Sequence, residues 1–426
     1  MEKGVGPVRL LIVLSALLIL ILNPSAYFSS FVHLIFAQPS INDTNLIVQP
    51  VVEGLSAPPD MIFLDKNNIL VLEKEGNVRL VRNGTLQDRP VLQIPVNTTG
   101  ERGLLGIAIS PASNSQNPNI FLYYTEEDPI RNRIDKFQWN GETLINPALI
   151  LDLPADPDPF HNGGKMDIGP DGYLYAVIGD LHYIPDGYPP EYTGRIFRIS
   201  PIDGTAGPDN PFVSNGENND MSKYYAYGIR NSFGMDFDPL TGNLWDTENG
   251  PVHYDEINLV RPGFNSGYYT VMGPITLSGK TEDDLFNFPG SHYADPLFSW
   301  NNTVAPTDIE FFSSSKLGDG YANNIFVGDV SRGNLYFFEV NENRDGIDLN
   351  TAQQNSGLSD FVVNSEEELS SVIFGSGFGG ITDIETGPDG FLYVLSYYKE
   401  SESPFLNLTS KNNGTIYRIS SNNTSR

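Results

Sequence analysis

Cysteine is absent from the 426-residue chain. That absence removes disulfides, thiolate–metal sites and a cysteine nucleophile together. Basic residues are scarce: 25 Lys and Arg stand against 53 Asp and Glu, a formal net charge of −28. Such a chain is repelled by nucleic acid and by anionic membranes. It suits neutral or cationic ligands, hard metal ions or solubility in salt. Histidines stand only at His33, His161, His182, His253 and His292. None share helical i,i+4 spacing, which excludes an HExxH-type zinc site. Past Ser40 no stretch carries the period of an amphipathic helix. Gly (41) and Pro (31) are frequent, so turns are many and long helices few. Apolar residues are not lacking: 39% hydrophobic and 12% aromatic content excludes wholesale disorder and can fill two domains or one large repetitive fold.

An apolar run from Leu10 to Leu22 follows Lys3 and Arg9, ends at Asn23-Pro24, and is succeeded by a second apolar patch from Tyr27 to Ala37. The run is short for a membrane span of about 20 residues and fits a secretory h-region with cleavage after Ala37. A retained anchor, lengthened by the second patch, is the alternative. Residues 1–37 are therefore read as a signal peptide or N-terminal anchor. The rest is read as extracytoplasmic, secreted or held at the outer face of the cell membrane, and touching membrane only through an uncleaved segment. Sequons at Asn42, Asn83, Asn97, Asn301, Asn407, Asn413, Asn422 and Asn423 agree with export and glycosylation.

From there on, short β-rich runs recur between Gly, Asp, Asn and Pro turns. Paired runs begin near Asn67, Asn119, Asp171, Thr241, Asn324 and Asp389. Each unit reads as a turn, an apolar strand, a loop, a Gly and an amphipathic strand. A period of roughly 50 to 80 residues points to antiparallel blades rather than a sandwich. The expectation is an all-β, six-bladed β-propeller over residues 45–420, with the chain ends meeting in one blade. The inserts Leu181–Thr193 and Pro262–Asn302 would wall a pocket at the channel mouth.

Several motifs fail in context. Gly375–Gly380 matches G-x-G-x-x-G but is followed by Ile381-Thr382-Asp383-Ile384 and another turn, not by the helix that a dinucleotide site needs. Asp283-Asp284 and Glu366-Glu367-Glu368 read as solvated surface. Three stretches carry chemistry. In His161-Asn162-Gly163-Gly164 through Asp180, a histidine opens one strand and a carboxylate closes the next. A carboxylate on one ring nitrogen fixes the tautomer and raises the basicity of the other; a plain turn histidine is the alternative. In Gly228-Ile229-Arg230-Asn231, the rigid guanidinium fork suits a carboxylate or quinone oxygen, or ties two blades. In Trp245–Pro251 with Asp255-Glu256, carboxylates and Gly-Pro carbonyls in a sharp turn suit calcium, or form an acidic loop.

Together with Gly103-Leu104-Leu105-Gly106, Thr303-Val304-Ala305-Pro306 and Gly387-Pro388-Asp389-Gly390, these stretches run in the order of, and resemble, the soluble glucose/sorbosone dehydrogenases, which include aldose sugar dehydrogenases. The resemblance implies a six-bladed propeller that uses pyrroloquinoline quinone (PQQ) and calcium to oxidise a small sugar. It implies that His161 takes the C1 hydroxyl proton while hydride passes to the quinone, and that Asp180 orients His161. Arg230 and Asn231 would contact the quinone oxygens, and Thr303 its rim. The carbonyls of Gly250 and Pro251 would hold one calcium, and Glu256 with the carbonyl of Ser266 a second, structural one.

The chain departs from the family pattern where PQQ is anchored. Glu101 stands for the family's glutamine. Neutral Gly380 and Thr382 stand where the family has arginines, and Ser331 where it has lysine, with Arg332 beside it. The expected wall at Ser331, Gly380 and Thr382 is neutral unless Arg332 swings in. A lactone or ester hydrolase using the same pocket, and a non-catalytic carbohydrate- or protein-binding propeller, are the alternatives to a dehydrogenase. The electron acceptor is not legible.

Overall fold

The computed structural model describes residues 38–110, 117–182, 192–213, 220–397 and 414–422. The apolar leader (residues 1–37), residues 183–191 of the first expected pocket insert, and the sequons at Asn407, Asn413 and Asn423 lie outside the described residues.

Strand pattern follows burial. Leu174–Ile178 is buried at every position, the mark of a strand covered on both faces. Arg131–Trp139 alternates buried and partly exposed residues. The alternation breaks at Ile134-Asp135, where its pairing with Leu144–Pro154 shifts register, as at a bulge.

The strands form six sheets. Five are built mainly from strands that follow one another in the chain, starting at Met61–Asp65, Leu104–Ser110, Met166–Ile168, Ser232–Phe237 and Pro306–Phe311. The sixth is composite: Gly380–Thr386, Leu392–Tyr397 and Gly414–Ser421 are completed by the N-terminal strand Leu46–Leu55, with Leu46 opposite Ser421. The two ends of the chain thus meet in one sheet and lock each other by main-chain hydrogen bonds.

A buried apolar cluster fills each gap between neighbouring sheets. Leu70 and Leu122 join the first two, Tyr123 and Phe197 the next pair, and Val177 and Met235 the third and fourth. Trp300 and Tyr336 follow, then Phe326 and Ile384. Val71 and Leu395 bring the last sheet back against the first. The protein is an all-β propeller. Its sheets are not the equal paired-strand units expected, for they hold four to six strands. Inserts add strands in parallel, Phe264–Asn265 on Tyr224–Tyr227 and Val362–Val363 on Phe298–Trp300, because an unpaired sheet edge is a ready template. Glu366-Glu367-Glu368 stays at the surface as expected, and it opens a short helix, Glu366–Val372, capped by Ser365, whose side chain accepts from Glu368 N at 3.2 Å.

The first strand of every sheet faces a central cavity of about 350 Å³, where Asp167, Asp236, Asp308, Glu310 and Glu385 point inward. Much of this charge stitches neighbouring sheets. Asp383 accepts from Met61 N at 3.0 Å and Asp60 from Ile107 N at 2.9 Å. Asp236 accepts from Phe311 N at 2.6 Å, and Asp308 and Glu310 from Ile384 N and Thr386 N at 2.8 Å. Lys165 Nζ sits among Asp383 (2.6 Å), Asp308 (3.1 Å) and Asp60 (3.5 Å). Burial pushes these carboxyls up: Glu310 to about 8, Asp167 to about 6, and Asp236 and Glu385 well above the usual range.

Candidate active site

His161 lies where the chain enters the third sheet, and the backbone there explains the Asn-Gly-Gly that follows it. A Cβ on Gly106 would fall 1.9 Å from the Gly164 carbonyl oxygen, and one on Gly164 would fall 2.7 Å from Leu105 Cβ. The Gly-Leu-Leu-Gly and Asn-Gly-Gly motifs are therefore two halves of one close backbone contact. Asn162 pins the turn: its side chain donates to Pro159 O (2.8 Å) and accepts from Asn132 Nδ2 (3.0 Å), while its carbonyl accepts from Tyr123 OH (2.9 Å). His161 itself is held at φ +58°, a strained conformation for a residue with a Cβ.

Asp180, two residues beyond the strand Leu174–Ile178, meets His161. Its Oδ1 lies 2.5 Å from His161 Nδ1, and both side chains are buried. Its Oδ2 accepts from Tyr269 OH at 2.8 Å, and its N–H donates to Arg230 O at 2.8 Å. With Nδ1–H donating to a carboxylate, the basic nitrogen of a neutral His161 is Nε2. Glu101 accepts from His161 N at 2.7 Å and from Asn231 Nδ2 at 3.2 Å. Both partners are donors, so an ionised carboxylate serves here as well as the amide oxygen of a glutamine. His182 packs edge-on against His161, ring centroids 3.7 Å apart. Its N–H donates to Asp180 Oδ1 at 3.2 Å, and its Nδ1 lies 3.4 Å from Asp158.

Beside this pair opens a cavity of about 470 Å³, lined by Glu101, Gly163, Asn249, Phe160 and Phe233 on one side and by Lys74, Lys165, Ser331, Thr382 and Tyr397 elsewhere. Such a space and its mixed lining suit a small ligand. The site residues expected from sequence divide here. His161, Asp180, Glu101, Arg230 and Asn231 form one connected group. Of that group only Glu101 lines the cavity; His161, Asp180, Arg230 and Asn231 lie behind its wall, and Thr303, partly buried, and Gly380 do not line it either. Arg332 does not swing in: its guanidinium pairs with Glu366 at 3.0 Å on the exposed surface. Ser331 and Thr382 do line the cavity without charge. The wall at Ser331 and Thr382 is neutral as expected, while Lys74 and Lys165 bring cations to the cavity from other sheets.

Arg230 is anchored by its N–H on Glu248 Oε1 (2.6 Å) and donates through Nη1 to Asn249 O (2.8 Å) and Gly250 O (3.1 Å). The Gly250 carbonyl, expected to face calcium, thus faces a guanidinium, and Pro251 is exposed. In this arrangement the Gly250–Pro251 turn does not fit a cation. Asp255 fixes the turn, accepting from Gly250 N at 2.8 Å and from Val304 N and Ala305 N at 2.6 and 2.8 Å.

The second expected calcium position is different. Glu248 stands opposite Glu256, and Asp246 opposite Asn258, on paired antiparallel strands, and all four are buried. Glu256 accepts from Gly273 N at 2.5 Å. Glu248 accepts from the Ser266 hydroxyl at 2.6 Å, so Ser266 turns its side chain to this cluster. Both Asp246 oxygens, Asn258 Oδ1 and Ser299 Oγ are buried without a hydrogen-bond partner. Burial raises Glu256 to about 8, Asp246 to about 7, and Glu248 well above the usual range with Glu256 adding to it. Among the described residues no three acidic or histidine side chains already converge as a cage. The orphaned oxygens and hard donors nonetheless fit calcium here.

Sequence reading missed Tyr269, His182, Lys74, Lys165 and the pairing role of Glu248. Only Glu248 had a local signal, an acid two residues from Asp246 on a strand of period two. The others arrive from distant segments.

Comparison with known proteins agrees with this geometry. Residues 55–404 match the family Glucose / Sorbosone dehydrogenase. The chain is 25% identical to an aldose sugar dehydrogenase of Escherichia coli, over 86% of this chain and 93% of the relative. It is 31% identical to quinoprotein glucose dehydrogenase B of Acinetobacter calcoaceticus, over 52% of each. Among solved structures, a putative oxidoreductase (glucose dehydrogenase) from Thermus thermophilus superposes with a TM-score of 0.66 at 28% identity, covering 88% of this chain and 99% of that one. The PQQ-bound form of an aldose sugar dehydrogenase from Streptomyces coelicolor shares the fold, with a TM-score of 0.62 at 23% identity over 90% and 100% of the two chains. The fold and the site define an oxidoreductase-type β-propeller. The chain belongs to the glucose/sorbosone dehydrogenase family.

Proposed function

We propose that the protein is an exported aldose sugar dehydrogenase, that it oxidises the C1 hydroxyl of a cyclic sugar to the lactone, and that residues 45–420 with their six sheets act as the blades of one ring. The observation that carries the reading is the buried His161–Asp180 pair, at 2.5 Å, beside a cavity of about 470 Å³. Nε2 of His161 takes the C1 hydroxyl proton. Asp180 holds the ring and offsets the imidazolium charge that follows, while Tyr269 and the Arg230 carbonyl hold Asp180. PQQ, when bound, supplies the two-electron acceptor for the C1 hydride. Glu101 and Asn231 would border it, and Arg230, by its place beside Asn249, would face its oxygens. Glu256, Glu248 and Asp246 would hold a structural calcium. A leader within residues 1–37 would direct the chain out of the cytoplasm. Support comes from the sequons at Asn42, Asn83, Asn97, Asn301 and Asn422, none of which is buried.

The test is oxidation of an aldose panel with an artificial acceptor after loading with PQQ and calcium, with His161→Ala as control. Sugar-dependent reduction in wild type and its loss in the variant would sustain the reading. No reduction at any PQQ concentration would refute it. A lactone hydrolase is the second reading, favoured by the uncharged Ser331 and Thr382 and by Arg230's hold on the Gly250 carbonyl; His161-dependent lactone opening would identify it.

A further inference from the structure

Of the residues grouped around His161, Glu101 reaches the cavity. Its N–H donates to Pro159 O at 3.0 Å, which sets it beside Phe160, the residue before His161. Both of its side-chain hydrogen bonds fall on Oε2, from His161 N at 2.7 Å and Asn231 Nδ2 at 3.2 Å. Oε1 accepts none and is not enclosed by protein. Both donors are neutral, and no cation among the described residues forms an ion pair with Glu101. Lys165 is held by Asp383, Asp308 and Asp60, and Lys74 Nζ donates to Gly100 O at 2.5 Å. Asp60, the other acid that lines the cavity, has Lys165 at 3.5 Å. Glu101 is thus a carboxylate without an ion-pair partner on a wall open to ligand, and a cation placed against it favours its charged form.

Two further features of the same cavity suit a sugar that carries such a cation. Phe160 is 44% exposed and lines the cavity with Phe233. An aromatic face attracts an ammonium and gives the apolar part of a small ligand its lining. Asn249 is fixed by its backbone, whose N–H donates to Asn231 O at 2.8 Å and whose carbonyl accepts from Arg230 Nη1 at 2.8 Å. Asn249 also lines the cavity, and its Oδ1 has no hydrogen-bond partner. A carboxamide offers a hydroxyl both a donor and an acceptor, and a polar group left unmatched calls for a partner.

We propose that the cavity prefers an amino sugar, a 2-amino-2-deoxyaldose, whose ammonium is held by Glu101 Oε1 beside Phe160 while a ring hydroxyl meets the Asn249 amide. The amino group is assigned to C2 because Glu101 is bonded to the backbone of the residue whose ring takes the C1 proton. This inference rests on the reading of the cavity as the sugar site of a dehydrogenase, and its test separates the two. Wild type, Glu101→Gln, Asn249→Leu and Glu367→Gln, supplied with calcium and PQQ but no electron acceptor, are dialysed to equilibrium against labelled glucosamine, N-acetylglucosamine and glucose at about pH 6, where such an amine is protonated. Folding is read by melting temperature. Wild type should bind glucosamine about tenfold more tightly than either neutral sugar, the worth of one charge-assisted hydrogen bond, and the ratio should shrink as salt is raised. Glu101→Gln, which keeps an acceptor for His161 N and Asn231, should bring the ratio to about one. Asn249→Leu should weaken all three sugars alike. Glu367→Gln, which removes a charge from the exposed surface helix, should keep the wild-type ratio. Equal binding of the three sugars by wild type, a ratio indifferent to salt, or an unchanged ratio in folded Glu101→Gln would overturn the inference and leave the dehydrogenase reading standing. Unchanged binding in Asn249→Leu would remove the amide from the site. No sugar bound by wild type would overturn both readings.

Discussion

Glu248 and Glu256 face each other across the antiparallel strands Leu244–Glu248 and Asp255–Val260, and both are buried. Two adjacent carboxylates in low dielectric cannot both ionise cheaply, so the pair keeps a proton or takes a cation. With calcium present the wild type should melt at a higher temperature than in chelator. Saturation at 100 times Kd corresponds to about 2.7 kcal/mol. Glu256→Gln should abolish that increment without lowering the melting temperature in chelator, as differential scanning fluorimetry would show. Equal wild-type melting with and without calcium would remove the site.

Stability should also depend on pH with an unusual sign. Glu310 and Glu256 are raised to about 8, Asp246 to about 7, and Asp167 and Asp255 to about 6, each chiefly by burial. Between the ordinary carboxylate range and these values the folded chain holds protons that the unfolded chain has lost. Stability is therefore gained as pH falls toward about 5 and lost as it rises through about 8. Melting in chelator should follow that slope, and calcium should flatten it. A melting temperature that rises from pH 5 to pH 8 in chelator would contradict the burial argument.

The His161–Asp180–Tyr269 chain predicts a graded series in the dye-linked assay. His161→Ala should cut turnover by about 10²–10⁴-fold, the usual worth of a general base. Asp180→Asn should cost less, because Nε2 survives. Tyr269→Phe removes one hydrogen bond to the Asp180 carboxylate and, acting on His161 only through Asp180, should cost about three- to tenfold. Turnover unchanged in all three would place the chemistry elsewhere.

Lys165→Met would leave Asp60, Asp308 and Asp383 around an apolar side chain. Removing one partner of a buried charge cluster costs about 3–5 kcal/mol, read as a drop in urea midpoint. The loss should be smaller at pH 5 than at pH 8, since Asp60 and Asp308 are already pushed toward their neutral forms. An equal loss at both pH values would show that Lys165 acts by packing alone.

The His161–Asp180 half of the candidate site was legible because its parts are local. His161 and Asp180 are linked by one strand hairpin, and the glycines of two short motifs betray the close backbone contact that holds them. The facing wall was read from the three positions at Ser331, Gly380 and Thr382, and their neutrality suggested a bare wall. The cations that line the cavity instead come from Lys74, in the turn of the first sheet, and Lys165, at the edge of the third. No spacing rule connects residues that a ring closure brings together.

Alone, the sequence determined the strand-rich class and pointed to the joining of the chain ends and the His161–Asp180 pairing, because alternation, turn residues and motif spacing act over a few residues and survive without tertiary context. Tertiary structure decided where charge goes. Arg230 turned to the Gly250 carbonyl, Arg332 to Glu366, and Lys165 into three aspartates. Those partners lie between 20 residues away, for Gly250, and 218, for Asp383. A long side chain settles on whichever opposite charge or carbonyl the packed sheets place within reach, and only the closed ring sets that geometry.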